Sequence, residues 1–413
     1  MLCFGAKSVI IKNRGYPAAG ALLRTGAQPP GDRALLIRIT QETERTERHM
    51  NQNAAGQAVI LIPSLEPDER LPAYIRRLKE AGFGHIVVVD DGSGEEYRPI
   101  FRETEEVADT VVLRHEVNRG KGVALKTGYR YITENLPDIT GVITADADGQ
   151  HTVEDCVKLA EALAGGEKAL YLGSRDFSLE NVPPKSRNGN RITSAVFKLL
   201  YGQYLPDTQT GLRAFRKEEL PFMSEVEGDR YEYEMKVLIA CTRAGIPMIP
   251  VTIETIYENA NEGTHFHPIR DSWRIYRVIL GSFFLFAASS MTCLLIDQGL
   301  FNLLNLAVFG NGAAKDGKII LLCTAVARIA SATLNFLLNR NIVFKDKGNA
   351  KQAFVRYAAL CVCIMLASAA GTWLLGKTGM SSTVAKLITD TVLYFVSYRV
   401  QNRWVFRGEK THE

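Results

Sequence analysis

The sequence predicts an α/β domain followed by an all-α membrane domain. From Ala58 onward, short apolar runs alternate with segments of helical periodicity, which is typical of a mainly parallel sheet with helices on both faces. Polar clusters follow these runs, at the carboxyl ends of strands where such sheets bind ligands. Beyond Val278, the chain contains apolar segments that are long enough to cross a membrane.

Length and composition bound the possible functions. The chain of 413 residues exceeds one ordinary domain, and its net charge of +4 does not indicate a nucleic-acid binder. The seven cysteines show no zinc-ligand or disulfide spacing, which indicates a reducing compartment. We expect a disordered N-terminal extension, an α/β domain, a linker with an interfacial helix, a membrane domain and a tail, over 1–57, 58–256, 257–277, 278–407 and 408–413. A natural start of synthesis at Met50 is a further hypothesis.

The first part of the α/β domain alternates strands and helices. The periodicity predicts strands over Ala58 to Pro63, His85 to Val89 and Thr110 to Leu113, with a helix over Asp68 to Ala81. The second strand ends in Asp90-Asp91-Gly92-Ser93, and the third leads to Asn118-Arg119-Gly120-Lys121-Gly122. This glycine pair lacks the spacing of an ATPase phosphate loop, and no Gly-x-Gly-x-x-Gly follows the first strand. The remaining interpretation is a nucleotide held by Asp90 or Asp91 and by Lys121.

A fourth apolar run ends in two carboxylates one residue apart. Asp146 and Asp148 follow Val142-Ile143-Thr144-Ala145 and precede a glycine turn. Carboxylates at alternate positions beyond a buried strand can converge on one hard divalent cation, Mg²⁺ or Mn²⁺, that keeps open positions for substrate phosphates. An ordinary polar surface turn is the alternative for an isolated Asp-x-Asp.

Six motifs follow one another between Val59 and Ile256. They are Ile62-Pro63-Ser64-Leu65-Glu66, Val89-Asp90-Asp91-Gly92-Ser93, Asn118-Arg119-Gly120-Lys121-Gly122, Asp146-Ala147-Asp148-Gly149-Gln150-His151, Gly173-Ser174-Arg175 and Asp207-Thr208-Gln209-Thr210-Gly211-Leu212-Arg213. Together they resemble glycosyltransferase family 2, in particular its dolichyl-phosphate-mannose-synthase-like branch. The resemblance implies an A-type glycosyltransferase fold, which is a Rossmann-like mixed sheet, and a nucleotide-sugar donor.

The same resemblance implies roles for individual residues. Those expected to bind the donor are Pro63, Leu65, Glu66, Asp90, Asp91, Lys121 and Asp146. Asp146, Asp148 and Gln150 would hold the cation. Glu232 and Glu234 stand where related enzymes place acidic residues near the acceptor, and a solvated helix face is the alternative. Asp148, Arg175, Arg213 and Glu234 form the expected catalytic set.

Arginines are the expected ligands of an acceptor phosphate. A lipid phosphate is already largely ionised near pH 7, so it needs positioning more than deprotonation. The planar guanidinium group suits this task because it binds two phosphate oxygens at once. The candidates for the acceptor phosphate are Arg187 and Arg191, with Arg270 from the basic stripe of the interfacial helix; surface salt bridges are the alternative role. The segment from Gly189 to Leu200 is expected to lie against the membrane, cap the acceptor groove or pack in the core.

Four predicted membrane segments make up the last third of the chain. They are Val278 to Phe309, Lys318 to Leu338, Ala353 to Leu375 and Ser381 to Val400. Cation-rich stretches at both ends of this region and between its second and third segments place those parts in the cytoplasm. The segments contain an internal repeat, because Asn335 to Phe344 aligns without gaps to Ser397 to Phe406.

The repeat leads to a prediction and to a second resemblance. It aligns Arg328 with Asp390 near mid-membrane, where charges are costly, so we expect these two residues to pair, with Asp297 as the rival partner of Arg328. The two endings, Asn339-Arg340-Asn341-Ile342-Val343-Phe344 and Gln401-Asn402-Arg403-Trp404-Val405-Phe406, resemble the GtrA-like family of four-helix membrane proteins. The family's association with export of polyprenyl-linked sugars implies anchoring or help in lipid translocation.

These expectations combine into one function and three alternatives. A multi-pass protein of the cytoplasmic (inner) membrane would transfer a hexose from a nucleoside diphosphate sugar to a polyprenyl (dolichyl or undecaprenyl) phosphate, by single displacement with inversion. The alternatives are transfer to a wall polymer, transfer to a protein, and lipid translocation with a domain that senses nucleotide sugar. A homo-oligomer is left open. The sequence does not identify the base or the sugar.

Overall fold

The computed structural model describes residues 54–179, 182–254, 268–308, 317–346 and 348–406. Most of the predicted N-terminal extension and the linker up to residue 267 therefore lie outside the described residues.

A seven-stranded sheet forms the centre of the α/β domain. Its strands are β1 (Ala58–Ser64), β2 (His85–Asp90), β3 (Thr110–Arg114), β4 (Gly141–Thr144), β5 (Leu170–Arg175), β6 (Arg213–Arg216) and β7 (Met248–Ile253). The strand order is β3-β2-β1-β4-β6-β5-β7. Only β6 runs antiparallel to its neighbours β4 and β5, and the remaining pairs are parallel. The predicted mixed, mainly parallel sheet is confirmed.

Helices cover both faces of this sheet. They are α1 (Arg70–Glu80), α2 (Arg98–Glu105), α3 (Lys121–Asn135), α4 (Val153–Gly165), α5 (Pro184–Tyr201), α6 (Leu220–Glu225) and α7 (Glu232–Ala244). Successive residues of a strand point to opposite faces, so Val59 and Leu61 enter one hydrophobic core while Ile60 and Ile62 enter the other. Burial on both faces explains why the parallel strands are continuous apolar runs.

The membrane domain has a helix at each of the four predicted positions. These are α8 (Pro268–Leu303), α9 (Gly317–Leu338), α10 (Ala350–Gly376) and α11 (Ser382–Val400). By length and composition, three described helical segments could cross a membrane, namely Ile275–Leu306, Gly317–Val343 and Ala350–Gly376. The fourth helix, α11, contains the charged residues Lys386, Asp390 and Arg399 within its 19 residues.

The predicted repeat is visible in the membrane domain. π-Helical turns occupy the aligned positions Asn339–Val343 and Gln401–Val405. Aligned side chains also contact each other: Asn339 Nδ2 donates to Gln401 Oε1 at 3.1 Å, and the rings of Phe344 and Phe406 stack at 5.2 Å. The two hairpins, α8–α9 and α10–α11, therefore meet at the ends of the repeat.

The predicted pairing of Arg328 with Asp390 is wrong. Arg328 Nη2 lies 3.3 Å from Asp297 Oδ2 on α8, which was the rival partner. Asp390 instead accepts a hydrogen bond from Ser368 at 2.5 Å and pairs with Lys386 at 3.0 Å. The alignment shows only that Arg328 and Asp390 occupy equivalent positions in the two hairpins. Each of them contacts residues of its own hairpin and not the other residue.

Buried polar contacts join the α/β domain to the membrane helices. From α5, the hydroxyl of Tyr201 donates to the carbonyl oxygen of Ile279 at 2.9 Å. From α7, Arg243 Nε donates to Asn402 Oδ1 at 2.9 Å, and Asn402 is fully buried in the second repeat ending. Helices α5 and α7 are thus fixed to the membrane domain at their C-terminal ends.

Candidate active site

Asp91 organises the loop that precedes α3. Its Oδ1 accepts hydrogen bonds from the Arg119 amide at 3.0 Å and from His115 Nδ1 at 2.7 Å, while its Oδ2 accepts from the Gly120 amide at 2.7 Å. The carboxylate is buried, and it holds two backbone donors that would otherwise have no partner. Asp91 therefore sets the position of the first residue of α3, Lys121.

Asp90 and Ser93 connect the loops that follow β1 and β2. Asp90 accepts from the Ser93 amide at 2.8 Å and from Arg114 Nε at 2.9 Å, and Ser93 Oγ accepts from the Glu66 amide at 2.8 Å. Gly92 lies between them with φ of +81°, and a side chain there would overlap the backbone of Val117. The predicted donor-binding residues Pro63, Leu65 and Glu66 lie on this connected edge, half-buried or exposed.

A lysine with two carboxylate partners lies at the carboxyl edge of the sheet. Lys121 Nζ is 2.7 Å from Asp146 Oδ1, beyond β4, and 2.9 Å from Glu234 Oε1 in the first turn of α7. His151 Nε2 lies 3.3 Å from the other oxygen of Asp146. The side chains of Lys121 and Glu234 are each only 15% exposed, so water screens these interactions weakly.

The charges of this cluster shift the proton affinities of its members. Burial by itself favours neutral Lys121, but Asp146 and Glu234 outweigh burial and raise the pKa of the ammonium group well above its usual value. Burial likewise opposes ionised Asp146, but Lys121 and His151 hold its pKa far below the usual range. Lys121 is therefore held as an ammonium group beside an ionised Asp146.

Asp148 and Gln150 complete the predicted metal set. Burial, and then the nearby charge of Asp146, raise the pKa of Asp148, and its Oδ1 accepts the Gln150 amide at 3.0 Å. Burial and the charge of Asp146 both disfavour the ionised carboxylate of Asp148, and a bound divalent cation would favour it. In the described part of the chain, no three His, Cys, Asp or Glu side chains form a metal-ligating group. The residues fit a cation held by two carboxylates and completed by water and substrate phosphates, as is usual for Mg²⁺.

Arg213 and Gly211 support the cluster from β6. Arg213 is buried and donates from Nη1 to the carbonyl oxygen of Glu234 at 2.8 Å and from Nε to that of Thr210 at 3.0 Å. Its buried Nη2 has no hydrogen-bond partner among the described residues. A side chain at Gly211 would overlap the Asp146 carboxylate, so only glycine leaves room for that carboxylate.

Arg175 forms a separate ion pair at the end of β5. Its Nε and Nη2 donate to the two carboxylate oxygens of Asp207 at 2.7 Å and 3.2 Å, and the Asp207 side chain is completely buried. Two parallel bonds fix the guanidinium plane. The predicted catalytic Arg175 is thus held in place by Asp207.

The predicted acceptor arginines are less tightly placed. Arg187 donates from Nη2 to the carbonyl oxygen of Leu179 at 2.7 Å, and Arg191 is exposed one turn further along α5. The side chain of Arg270 lies outside the described residues. The structure therefore brings together Lys121, Asp146, Asp148, Gln150 and Glu234, and it places the predicted acceptor residues Arg187 and Arg191 on helix α5.

Three site residues were not assigned roles from the sequence. They are Ser93, His151 and Asp207, each of which holds a predicted site residue or its loop. All three belong to the six motifs, so the motifs could have pointed to them. Their contacts could not be predicted from the sequence, because Asp207 is 32 positions away from its partner Arg175.

Comparison with known proteins identifies both domains. Residues 59–221 match the family described as glycosyl transferase family 2, and residues 285–406 match the GtrA/DPMS transmembrane domain. The UDP-N-acetylglucosamine–dolichyl-phosphate N-acetylglucosaminyltransferase of Methanococcus voltae is 31% identical over 48% of this chain and 85% of its own length. The undecaprenyl-phosphate mannosyltransferase of Micrococcus luteus is 26% identical over 50% of this chain and 86% of its own.

Solved structures give a more distant likeness. Glucosyl-3-phosphoglycerate synthase from Mycobacterium tuberculosis, crystallised with Mn²⁺, uridine diphosphate and glucosyl-3-phosphoglycerate, matches with 16% identity and a TM-score of 0.43, over 56% of this chain and 82% of that one.

The fold and site define a glycosyltransferase anchored to a membrane domain. The chain belongs to glycosyl transferase family 2 and carries a GtrA/DPMS transmembrane domain. It is therefore a membrane protein with a glycosyltransferase domain, as both sequence resemblances predicted.

Helix α7 connects the candidate site with the membrane domain. Glu234 in its first turn contacts Lys121, and Arg243 in its last turn contacts Asn402. We expect Arg243→Ala to lower the rate of sugar transfer about three- to tenfold, because a small displacement of α7 would misalign Glu234 with Lys121. The initial rate of transfer, with thermal unfolding of the same preparation, measures it. A rate within twofold of the unaltered protein would contradict the expectation, and exposed Lys217→Ala is the control.

Proposed function

We propose that this enzyme transfers a hexose from a nucleoside diphosphate sugar to a polyprenyl phosphate, with Mg²⁺ or Mn²⁺. The names of the Methanococcus voltae and Micrococcus luteus relatives, which both act on polyprenyl-type phosphates, support the acceptor class. The observation that carries the proposal is the cluster of Lys121, Asp146, Asp148 and Glu234 at the carboxyl edge of the sheet. Its excess of carboxylates suits a cation that arrives with a diphosphate.

The chain supplies a binding surface for the departing diphosphate. When bound, the cation would act as a Lewis acid that stabilises the negative charge on the leaving diphosphate. Asp146 and Asp148, with Gln150 beside them, would hold it. Lys121 and the guanidinium group of Arg213 place positive charge at the same edge, where negative charge develops.

The acceptor requires orientation rather than a strong base. In a single displacement, a phosphate oxygen of the lipid forms a bond to the anomeric carbon while the bond from that carbon to the diphosphate breaks, with the electron pair leaving on the diphosphate. Attack from the side opposite to the leaving group inverts the configuration. Arg175 is fixed in its plane by Asp207, and Arg187, Arg191 and Arg270 are the proposed contacts for the lipid phosphate.

The contacts with the membrane domain support a lipid acceptor. Helix α5, which carries Arg187 and Arg191, is bonded to α8 through Tyr201, so these arginines belong to a helix fixed on the membrane anchor. The cation-rich stretches of the sequence would place this side in the cytoplasm of a multi-pass inner-membrane protein. A polyprenyl phosphate in the cytoplasmic leaflet would then reach the site at headgroup level.

A transfer assay tests this proposal. Membranes that contain the protein would receive radiolabelled UDP-glucose, UDP-N-acetylglucosamine or GDP-mannose, with polyprenyl phosphate and Mn²⁺. We expect label from one donor to enter the organic phase as an acid-labile lipid, and Asp148→Ala to abolish this transfer. Label that enters protein or polymer instead of lipid would contradict the acceptor class. Undiminished transfer by Asp148→Ala, or transfer in excess chelator, would contradict the role of the cation.

A further inference from the structure

Lys121 pairs with a carboxylate that the proposed cation also needs. Its ammonium group lies 2.7 Å from Asp146 Oδ1, an atom that the proposed cation requires. The same group is held from the other side by Glu234 at 2.9 Å. The hydrogen bond from the Gly120 amide to Asp91 fixes the backbone immediately before Lys121, so this arrangement is part of the folded loop.

We propose that Lys121 is a built-in counter-cation of the donor-free enzyme, which occupies Asp146 until a divalent cation and a nucleoside diphosphate arrive together. The inference rests on the proposed function, because it assumes that Asp146 is a ligand of the donor's cation. It adds a device that makes binding of the cation depend on the nucleotide.

The charges of the cluster give the physical reason. A divalent cation that enters alone must displace an ammonium group that is already at hydrogen-bond distance in a largely buried site. The displaced ammonium group would lose one of its two carboxylates and would be left with Glu234 alone. Buried charges that lose a partner are unfavourable, so this exchange is opposed.

A diphosphate changes this balance. Its oxygens offer the displaced ammonium group a new anionic partner, which lysine commonly binds as a point charge. The cation and the nucleotide should then favour each other's binding, and linkage requires the effect to be equal in both directions. In the donor-free enzyme, Lys121 would thus keep free divalent cations from binding Asp146, and this competition requires no movement of the backbone.

Binding of Mn²⁺ to the full-length protein in detergent tests the inference. Electron paramagnetic resonance reports free Mn²⁺, and each titration is run alone and with saturating UDP or GDP. For the unaltered protein, we expect one of the two nucleotides, UDP or GDP, to tighten Mn²⁺ binding at least tenfold. For Lys121→Met we expect Mn²⁺ alone to bind at least tenfold more tightly than to the unaltered protein, and the effect of the nucleotide to fall to threefold or less.

Two further variants separate competition from a general change in charge or stability. Arg119→Met removes an exposed cation two residues away and should leave both Mn²⁺ constants within threefold. Glu234→Gln leaves Lys121 with Asp146 alone, so Mn²⁺ alone should bind no more tightly than before and the nucleotide effect should persist. This variant keeps the inference testable if Lys121→Met does not fold.

The outcomes distinguish the inference from the proposed function. If Lys121→Met binds Mn²⁺ alone no more tightly and keeps the full nucleotide effect, the counter-cation role is wrong while the metal site stands. Tighter binding of Mn²⁺ alone by Glu234→Gln, or by Arg119→Met, would also overturn it. If the unaltered protein binds no Mn²⁺ with either nucleotide, the proposed metal-dependent function fails, and the inference fails with it.

Discussion

Asp146→Asn is expected to lower the rate of sugar transfer by about 10³-fold while the protein stays folded. Asparagine has nearly the same shape, but its neutral amide provides neither a charged ligand for the cation nor an ion pair for Lys121. Lys121 retains Glu234 at 2.9 Å, so the substitution does not leave the ammonium group without a partner. The measurement is the initial rate of lipid labelling, together with thermal unfolding of the same preparation.

Asp138→Asn is the matched control for this change. Asp138 is exposed and precedes β4, whereas Asp146 follows it, so the two residues lie beyond opposite ends of one strand. We expect the control to keep its rate within twofold. A loss of less than tenfold for Asp146→Asn would show that this carboxylate is not a ligand on which transfer depends.

Asp91→Ala is expected to lower the free energy of unfolding of the α/β domain by about 3 kcal/mol. The buried carboxylate accepts from two backbone amides and from His115, and alanine would leave these three donors without their partner. For a domain of this size, the change corresponds to a fall of about 6–12 °C in the unfolding temperature. Calorimetry of the full-length protein in detergent measures it.

Two comparisons make this expectation specific. Asp91→Asn keeps one oxygen acceptor but turns an N–H group toward the amide donors, so we expect roughly half the loss of stability. Glu116→Ala removes an exposed carboxylate from the same loop and should change stability by less than about 0.5 kcal/mol. Equal effects of Asp91→Ala and Glu116→Ala would contradict the role of Asp91 in holding the two backbone amides.

The layout of the sheet was predictable because it depends on local patterns. Strand-length apolar runs with polar ends indicated β1 to β4, and their parallel order places the ends of β1, β2 and β4 at one edge. The placement of β6 between β4 and β5 was not predictable in the same way, since Arg213–Arg216 is a short run whose pairing is set by distant partners.

The site shows the same division between local and distant information. The pairing of Asp146 with Lys121 joins motifs that the sequence had already selected, whereas the contact of Lys121 with Glu234 spans 113 positions. Asp90 and Asp91 were expected to contact the nucleoside, and the structure also shows them holding their own loops. A motif identifies chemically important residues but does not distinguish binding from support.

The contact between the two repeat endings resembles a symmetric dimer enclosed in one chain. Asn339 meets its own equivalent Gln401, and Phe344 meets Phe406, which is how a two-fold interface is built from identical subunits. Because the two copies are parts of one chain, equivalent positions can carry different residues. Arg340 donates to the carbonyl oxygen of Gly348 within the membrane domain, while the aligned Asn402 accepts from Arg243 of the α/β domain. The duplication thus lets one copy of an aligned position, Asn402, bind the α/β domain while the other copy, Arg340, binds within the membrane domain.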